Sequence, residues 1–114
     1  MKEYQLKNYV DDNGKEPILE WLKTLDGTMR KRILLRLERL KDGNFGDYKR
    51  LNDILYELRF NIGSGYRIYY TIKNDIIILL INGGDKKTQS KDIINAMEIL
   101  TYLKEGKHEK HKQF

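Results

Sequence analysis

The hydrophobic positions of this chain first follow helical spacing, then alternate, then return to helical spacing. Tyr4 to Val10 reads as a short opening strand, closed by the turn signal Asp11-Asp12-Asn13-Gly14. Pro17 suits the first turn of a helix, where a missing N–H loses no hydrogen bond. Ile18, Trp21, Leu22 and Leu25 follow at helical spacing and are expected to face the core. Asp26-Gly27 ends that helix, and Thr28 is placed to cap the next. The second helix runs from about Met29 to Lys41, with the apolar stripe Met29, Ile33, Leu37 and Leu40 and with Arg32, Arg36 and Arg39 on another face. Asp42-Gly43-Asn44 stops it, and the short turn between the two helices predicts a helical hairpin.

The pattern then switches to a period of two. Ile54, Tyr56, Leu58 and Phe60 share one face of a strand, and Leu55, Glu57, Arg59 and Asn61 share the other. After the turn Gly63-Ser64-Gly65, a second strand is expected to turn Tyr66, Ile68, Tyr70 and Ile72 inward and Arg67, Tyr69 and Thr71 outward. Lys73-Asn74-Asp75 leads into Ile76 to Ile81, an uninterrupted apolar run that suits a central strand covered on both faces. Gly83-Gly84 is expected to break it. Ser90 is placed to cap a last helix, with Asp92 in its first turn and Ile93, Ala96 or Met97, Leu100 and Leu103 buried. Gly106 is a stop signal. The order β-α-α-β-β-β-α describes an α+β domain, a small, mostly antiparallel sheet packed by a helical hairpin and a C-terminal helix. Residues 1–106 form the single domain, and 107–114 a flexible basic tail.

Composition changes this picture in three ways. With 114 residues, 39% hydrophobic and 34% charged, the chain is long enough for one core and too apolar to be disordered. It has no cysteine, so disulfides and thiolate metal sites are excluded. The net charge of +5 favours a polyanionic or acidic partner, although part of the excess sits in the tail, Lys104 to Lys112. The longest apolar run is far too short for a membrane span, and no apolar stretch follows Met1-Lys2-Glu3-Tyr4, so the expected location is the cytoplasm with no membrane partner.

No P-loop, dinucleotide glycine pattern or metal-ligand cluster is present, so no cofactor is expected. His108 and His111 fall in the tail, where solvation is a simpler reading than a metal site, and this argues against histidine acid–base catalysis. The noticeable feature is a set of cations on adjoining strands and loops. Arg59 and Arg67 lie on strands expected to be hairpin neighbours, Lys49 precedes them, and Lys86-Lys87 follow the last strand. Arginine offers a planar fork to phosphate oxygens and lysine a compact charge. The alternative reading is ordinary surface charge, with Arg59 paired to a carboxylate and the Arg32, Arg36 and Arg39 row a solvated helix face. Tyr56, Tyr66 and Tyr70 read as core, whereas Tyr69 is expected to point outward beside Arg67. A cationic cluster that cuts RNA would use attack by a ribose 2′-OH on the adjacent phosphate. Arginines would stabilise the phosphorane, and a lysine with its pKa lowered by neighbouring charge would act as base.

The stretches Leu55-Tyr56-Glu57-Leu58-Arg59, Gly63-Ser64-Gly65-Tyr66-Arg67-Ile68-Tyr69-Tyr70 and Gly83-Gly84-Asp85-Lys86-Lys87-Thr88-Gln89, with Asp92-Ile93 and Ala96, resemble the RelE/ParE superfamily. The closest resemblance is to its HigB-like addiction-module group, and Glu16-Pro17 with Trp21-Leu22 also fits. The resemblance implies a RelE-like toxin fold, inhibition by a cognate antitoxin of the helix-turn-helix, HigA-like kind, and metal-independent cleavage of mRNA on the ribosome. It places Arg67 on the phosphate-contacting arginine and Lys87, with Lys86 beside it, on a second catalytic arginine. Arg59 and Lys49 fall among the basic residues that support substrate binding and proton transfer. The candidate catalytic set is therefore Arg67, Lys86, Lys87 and Arg59, and the candidate RNA contacts are Lys49, Tyr69, Gln89, Arg36 and Arg39. The chain departs from the pattern where Ile93 stands near the position of a tyrosine, where Glu57 stands in place of a lysine, and where loop histidines are missing. A ParE-like inhibitor of DNA gyrase and a non-toxic basic RNA-binding module remain open as alternatives.

Overall fold

A computed structural model describes residues 2–106 and 111–114. Its elements in chain order are β1 (Gln5–Asn8), α1 (Pro17–Lys23), α2 (Gly27–Lys41), β2 (Tyr48–Arg50), β3 (Tyr56–Arg59), β4 (Arg67–Lys73), β5 (Ile77–Gly84), α3 (Gln89–Lys104) and β6 (Lys112–Gln113). The strands form one sheet in the order β2-β3-β4-β5-β1-β6. All neighbours are antiparallel except β1 and β5, which run parallel. The expected α+β architecture is therefore present, with one helix layer more than a one-sided sheet would need.

Two cores flank the sheet. On one side Ile18 and Leu22 of α1 and Ile33, Leu37 and Leu40 of α2 meet Leu58, Ile68, Tyr70, Ile78 and Leu80. On the other, Ala96, Leu100 and Leu103 of α3 meet Leu55, Tyr69, Leu79 and Ile81. Each such side chain stabilises the fold by about 1.5–3 kcal/mol when fully buried. β5 feeds both cores alternately, as its unbroken apolar run requires. The second cover corrects the reading of β3 and β4. Leu55, Glu57 and Tyr69, expected on a solvated face, are all 0% exposed beneath α3. The tyrosines read as core hold, since Tyr56 and Tyr70 stack at 5.2 Å and Tyr66 meets Trp21 edge-on at 5.9 Å.

The Gly83-Gly84 pair does not break β5 but ends it. Tyr69 is opposite Asn82 and Tyr70 opposite Leu80, so Ile81 is the extra residue of a bulge. Beyond it the faces are re-dealt: the Asn82 amide donates to the Asp92 carbonyl of α3 at 3.1 Å, Gly83 lies against the Trp21 ring, and Gly84 against Asp92 and Thr88. A Cβ at either glycine would collide with those groups.

Several boundaries shift for local reasons. Asp26, not Thr28, caps α2, its carboxylate accepting from the Met29 N–H at 2.9 Å. Thr88, not Ser90, occupies the cap position of α3, and its hydroxyl donates to Asp92. α1 and α2 lie on the same sheet face and are tied by Arg30, which donates to the Leu22 and Leu25 carbonyls at 2.9 and 2.7 Å. The flexible tail is corrected over its described part. Lys112–Gln113 adds an edge strand to β1, the Phe114 N–H donates to the Leu6 carbonyl at 2.9 Å, and His111 accepts from the Val10 N–H at 3.3 Å. Residues 107–110, including His108, lie outside the described residues. Among the described residues, no helix is long and apolar enough to cross a membrane, and no group of three or more His, Asp or Glu could hold a metal ion.

Candidate active site

The candidate cations converge at one end of the sheet, on the α3 side. Antiparallel register sets Arg59 directly opposite Arg67, and Arg67 opposite Gly84. Like charges so placed repel, and what reconciles them is Glu57, two residues before Arg59 on the same strand face. The Glu57 Oε1 accepts from Arg59 Nε at 3.0 Å. Its Oε2 accepts from the Tyr69 hydroxyl at 3.1 Å and from the Gln89 amide at 2.8 Å, and lies 3.5 Å from Arg67 Nε. A buried carboxylate is costly unless paired and hydrogen-bonded. Here burial pushes the Glu57 pKa up, but the bonds from Gln89, Arg59 and Tyr69 and the charge of Arg59 outweigh it, and the carboxyl sits below its ordinary value. Burial and the adjoining carboxylate push the Tyr69 phenol well above its usual range, so it serves as a fixed donor.

Two turns complete the site. The Lys86 N–H reaches the Ser64 carbonyl at 3.4 Å, and the Ser64 hydroxyl donates to Asp85 at 3.1 Å. Asp85 also accepts from the Lys87 N–H at 2.9 Å, closing the turn that leads into α3. Between these turns Arg67 Nη1 donates to the Gly65 carbonyl at 2.8 Å. Its Nε has no hydrogen-bond partner among the described residues. The Arg67 side chain is 17% exposed and that of Arg59 35%, enough for each to present a guanidinium edge outward. Lys86 and Lys87 are exposed on the neighbouring turn. Lys49 of β2 stands opposite Glu57 in the register and is exposed, so it shares this face at the sheet's edge.

The structure thus brings Arg59, Arg67 and Gln89 together on Glu57, with Lys86, Lys87 and Lys49 around them. It separates the others. Arg36 belongs to the opposite face: its guanidinium donates to the carbonyls of Arg59, Phe45 and Asp47 and lies 4.7 Å from the Phe60 ring centroid, so it braces α2 to the sheet. Arg39 is exposed beside it, in a groove shared with Arg32 and Leu35. Tyr69, expected outward as an RNA contact, is buried, and its hydroxyl is committed to Glu57. Glu57 itself was missed as a site residue. Its signal was a lone carboxylate at i−2 from Arg59, on the same face of an otherwise apolar and basic strand.

Chemically, the arrangement offers guanidinium donors fixed before any substrate arrives, which is what stabilises charge that develops on a phosphate oxygen. Glu57 holds these donors in place, but its complete burial and four cationic or hydrogen-bonding neighbours leave it poorly suited to collect a proton. The accessible amines are those of the lysines.

A family model described as phage derived protein Gp49-like (DUF891) matches residues 20–109. A Haemophilus influenzae protein described only as uncharacterized is 47% identical over 77 residues, covering 67% of this chain and 78% of that protein. Among solved structures, the E. coli toxin RelE in its free state, as a double arginine-to-alanine mutant, superposes with a TM-score of 0.62 at 20% identity, covering 84% of this chain and 96% of that one. The fold is RelE-like.

Proposed function

The chain belongs to the phage-derived Gp49-like family, and from that premise we propose that it is the toxin of a type II toxin–antitoxin pair and cuts mRNA on the ribosome. The observation that carries the reading is the Arg59–Glu57–Arg67 arrangement: two guanidiniums held at the sheet's end by one buried carboxylate. Its position on a RelE-like fold supports the same conclusion. The name of that solved neighbour supplies the word toxin, and the resemblance of Gly65-Tyr66-Arg67 and Lys86-Lys87 to the HigB-like group supplies the reaction.

In this mechanism the ribose 2′-OH attacks the adjacent phosphorus and the 5′-oxygen leaves. Arg67 and Lys87 hold the charge that builds on the phosphorane, with Arg59 beside them, so no divalent ion is needed. Lys86 or Lys49 accepts the 2′-OH proton, and the other of the two supplies a proton to the departing 5′-oxygen. Gln89 shares the donor set around Glu57. A centre with so few groups depends on a substrate held in the attack geometry by its surroundings, which is the part the ribosome plays. The partner that silences it is a helix-turn-helix, HigA-like antitoxin, and the setting is the cytoplasm.

The test is primer-extension mapping of a defined mRNA with and without translating ribosomes. Cuts that appear only with ribosomes, within codons, are expected. Cuts on free RNA would make the protein a ribosome-independent nuclease. Uncut RNA combined with inhibited DNA supercoiling would replace the proposal with gyrase inhibition, and uncut RNA with harmless overexpression would leave a basic RNA-binding module.

A further inference from the structure

A second concave site lies behind the first, between α3 and the end of β1 and β5. It is a hollow of about 480 Å³ whose lining includes Tyr9, Asn82, Asp92, Asn95, Glu98 and Tyr102, and it contains no lysine or arginine. In a chain of net charge +5 this is an island of opposite sign. Among the described residues neither Asp92 nor Glu98 forms an ion pair. Asn82, 8% exposed at the floor, spends its amide N–H on the Asp92 carbonyl, and its Oδ1 is buried without a partner. An unpaired buried acceptor destabilises the fold until a donor reaches it. The hollow therefore combines two carboxylates, an unused amide oxygen and two phenol rings, a set that suits a planar cation with several N–H groups.

Along its outer side the hollow shares Glu98 and Tyr102 with a shallow apolar strip formed by Ile93, Ile94, Met97 and Thr101 of α3. Ile94 is 58% exposed. A free polyamine would have no use for such a strip, whereas a polypeptide would cover both. We propose that this face of α3 binds a polypeptide partner that inserts an arginine side chain between Asp92 and Glu98 and lays neighbouring apolar side chains on Ile94 and Met97.

The pocket is independent of the RNA-cutting reading, since none of its residues belongs to the cationic cluster. Burial, and beyond it the charge of Asp85, raise the Asp92 pKa despite the hydrogen bond from Thr88. An arriving guanidinium would reverse that strain.

The experiment is an NMR titration of the labelled full chain with the peptide N-acetyl-Arg-Ala-Ala-Leu-amide, its citrulline counterpart, and spermidine. Saturable shifts of the Asn82 and Asn95 side-chain amides and of residues 92–102 are expected with the arginine peptide. Citrulline should bind about tenfold more weakly, having lost the charge-assisted bonds. Glu98→Gln, at an exposed helical position that leaves the fold intact, should weaken the arginine peptide by a similar factor, and Asp92→Asn should do so again. Equal binding of citrulline, shifts confined to other surfaces, or an unchanged affinity in Glu98→Gln would overturn the proposal. Spermidine binding as tightly as the peptide would replace the polypeptide partner with a small polyamine.

Discussion

Arg59 and Arg67 face one another across the β3–β4 pair, and the Glu57 carboxylate that joins them is entirely buried. The two guanidiniums are thus fixed by an anion beneath them rather than by each other. A site designed only to hold the fold would have placed an apolar residue at 57. Retaining two partly exposed cations over one hidden carboxylate keeps a positive surplus at the surface.

Glu57→Gln is expected to lower stability by about 2 kcal/mol. Losing one partner of a buried pair costs more than that, but Arg59 is over a third exposed and water screens its share. Urea unfolding measures it, and a midpoint equal to that of the parent chain would refute the role given to Glu57.

The same carboxylate makes stability depend on pH. Its folded pKa lies below the ordinary value, so its contribution is present above the unfolded carboxylate value of about 4.3 and is lost as pH falls through the lower folded one. The gap between the parent and Glu57→Gln should therefore be constant near neutrality and close on acidification. A gap that widened toward low pH would contradict the sign of the shift.

Arg67→Ala is expected to reduce mRNA cleavage by about 10²–10³-fold, the usual effect of deleting one donor to a developing oxyanion, and to abolish growth arrest. Glu57 keeps Arg59, Tyr69 and Gln89, so circular dichroism should show a native fold. Full toxicity in a folded variant would remove Arg67 from the mechanism.

Arg36→Ala should behave in the opposite way. It leaves three carbonyl groups without their guanidinium donor, at an expected loss of about 1–3 kcal/mol, while cleavage per folded molecule is retained. Unchanged stability together with lost RNA affinity would restore Arg36 as a nucleic-acid contact.

Gly83→Ala sets a methyl group against Trp21, and overpacking of this kind costs about 1–3 kcal/mol. Trp21→Leu in the same chain should recover part of the loss. Strictly additive effects in the double variant would show that the two residues are not in contact.

The helices and the inner face of the sheet were legible because one physical rule governs them. Ile33, Leu37 and Leu40, and Leu58, Ile68 and Tyr70, recur at the spacing their elements demand and are all buried. The outer face of β3 and β4 misled because Glu57, Arg59, Arg67 and Thr71 look like solvent-facing residues. Yet the apolar run of β5 already required a second cover, and a helix over β5 reaches its neighbours too, so Tyr69 had to be buried. β2 offered no pattern, since Tyr48, Lys49 and Arg50 are all exposed, and β6 is held by its pairing to β1 rather than by composition. The cationic residues of the site could be read as a group from their neighbouring strands. The anion that organises them could not, because hydrophobic alternation assigns a face without saying what else covers it.

Ile81 divides the last long strand into two reading frames. Before it, odd positions belong to α3 and even ones to α1 and α2; after it, the parity is reversed for Asn82, Gly83 and Gly84. Regular alternation through a retained Ile81 would act as a frameshift in space, turning the amide toward the tryptophan and exchanging the two glycines without altering the apolar content of the strand. Deleting Ile81, in contrast, would leave all three residues on the faces they now occupy.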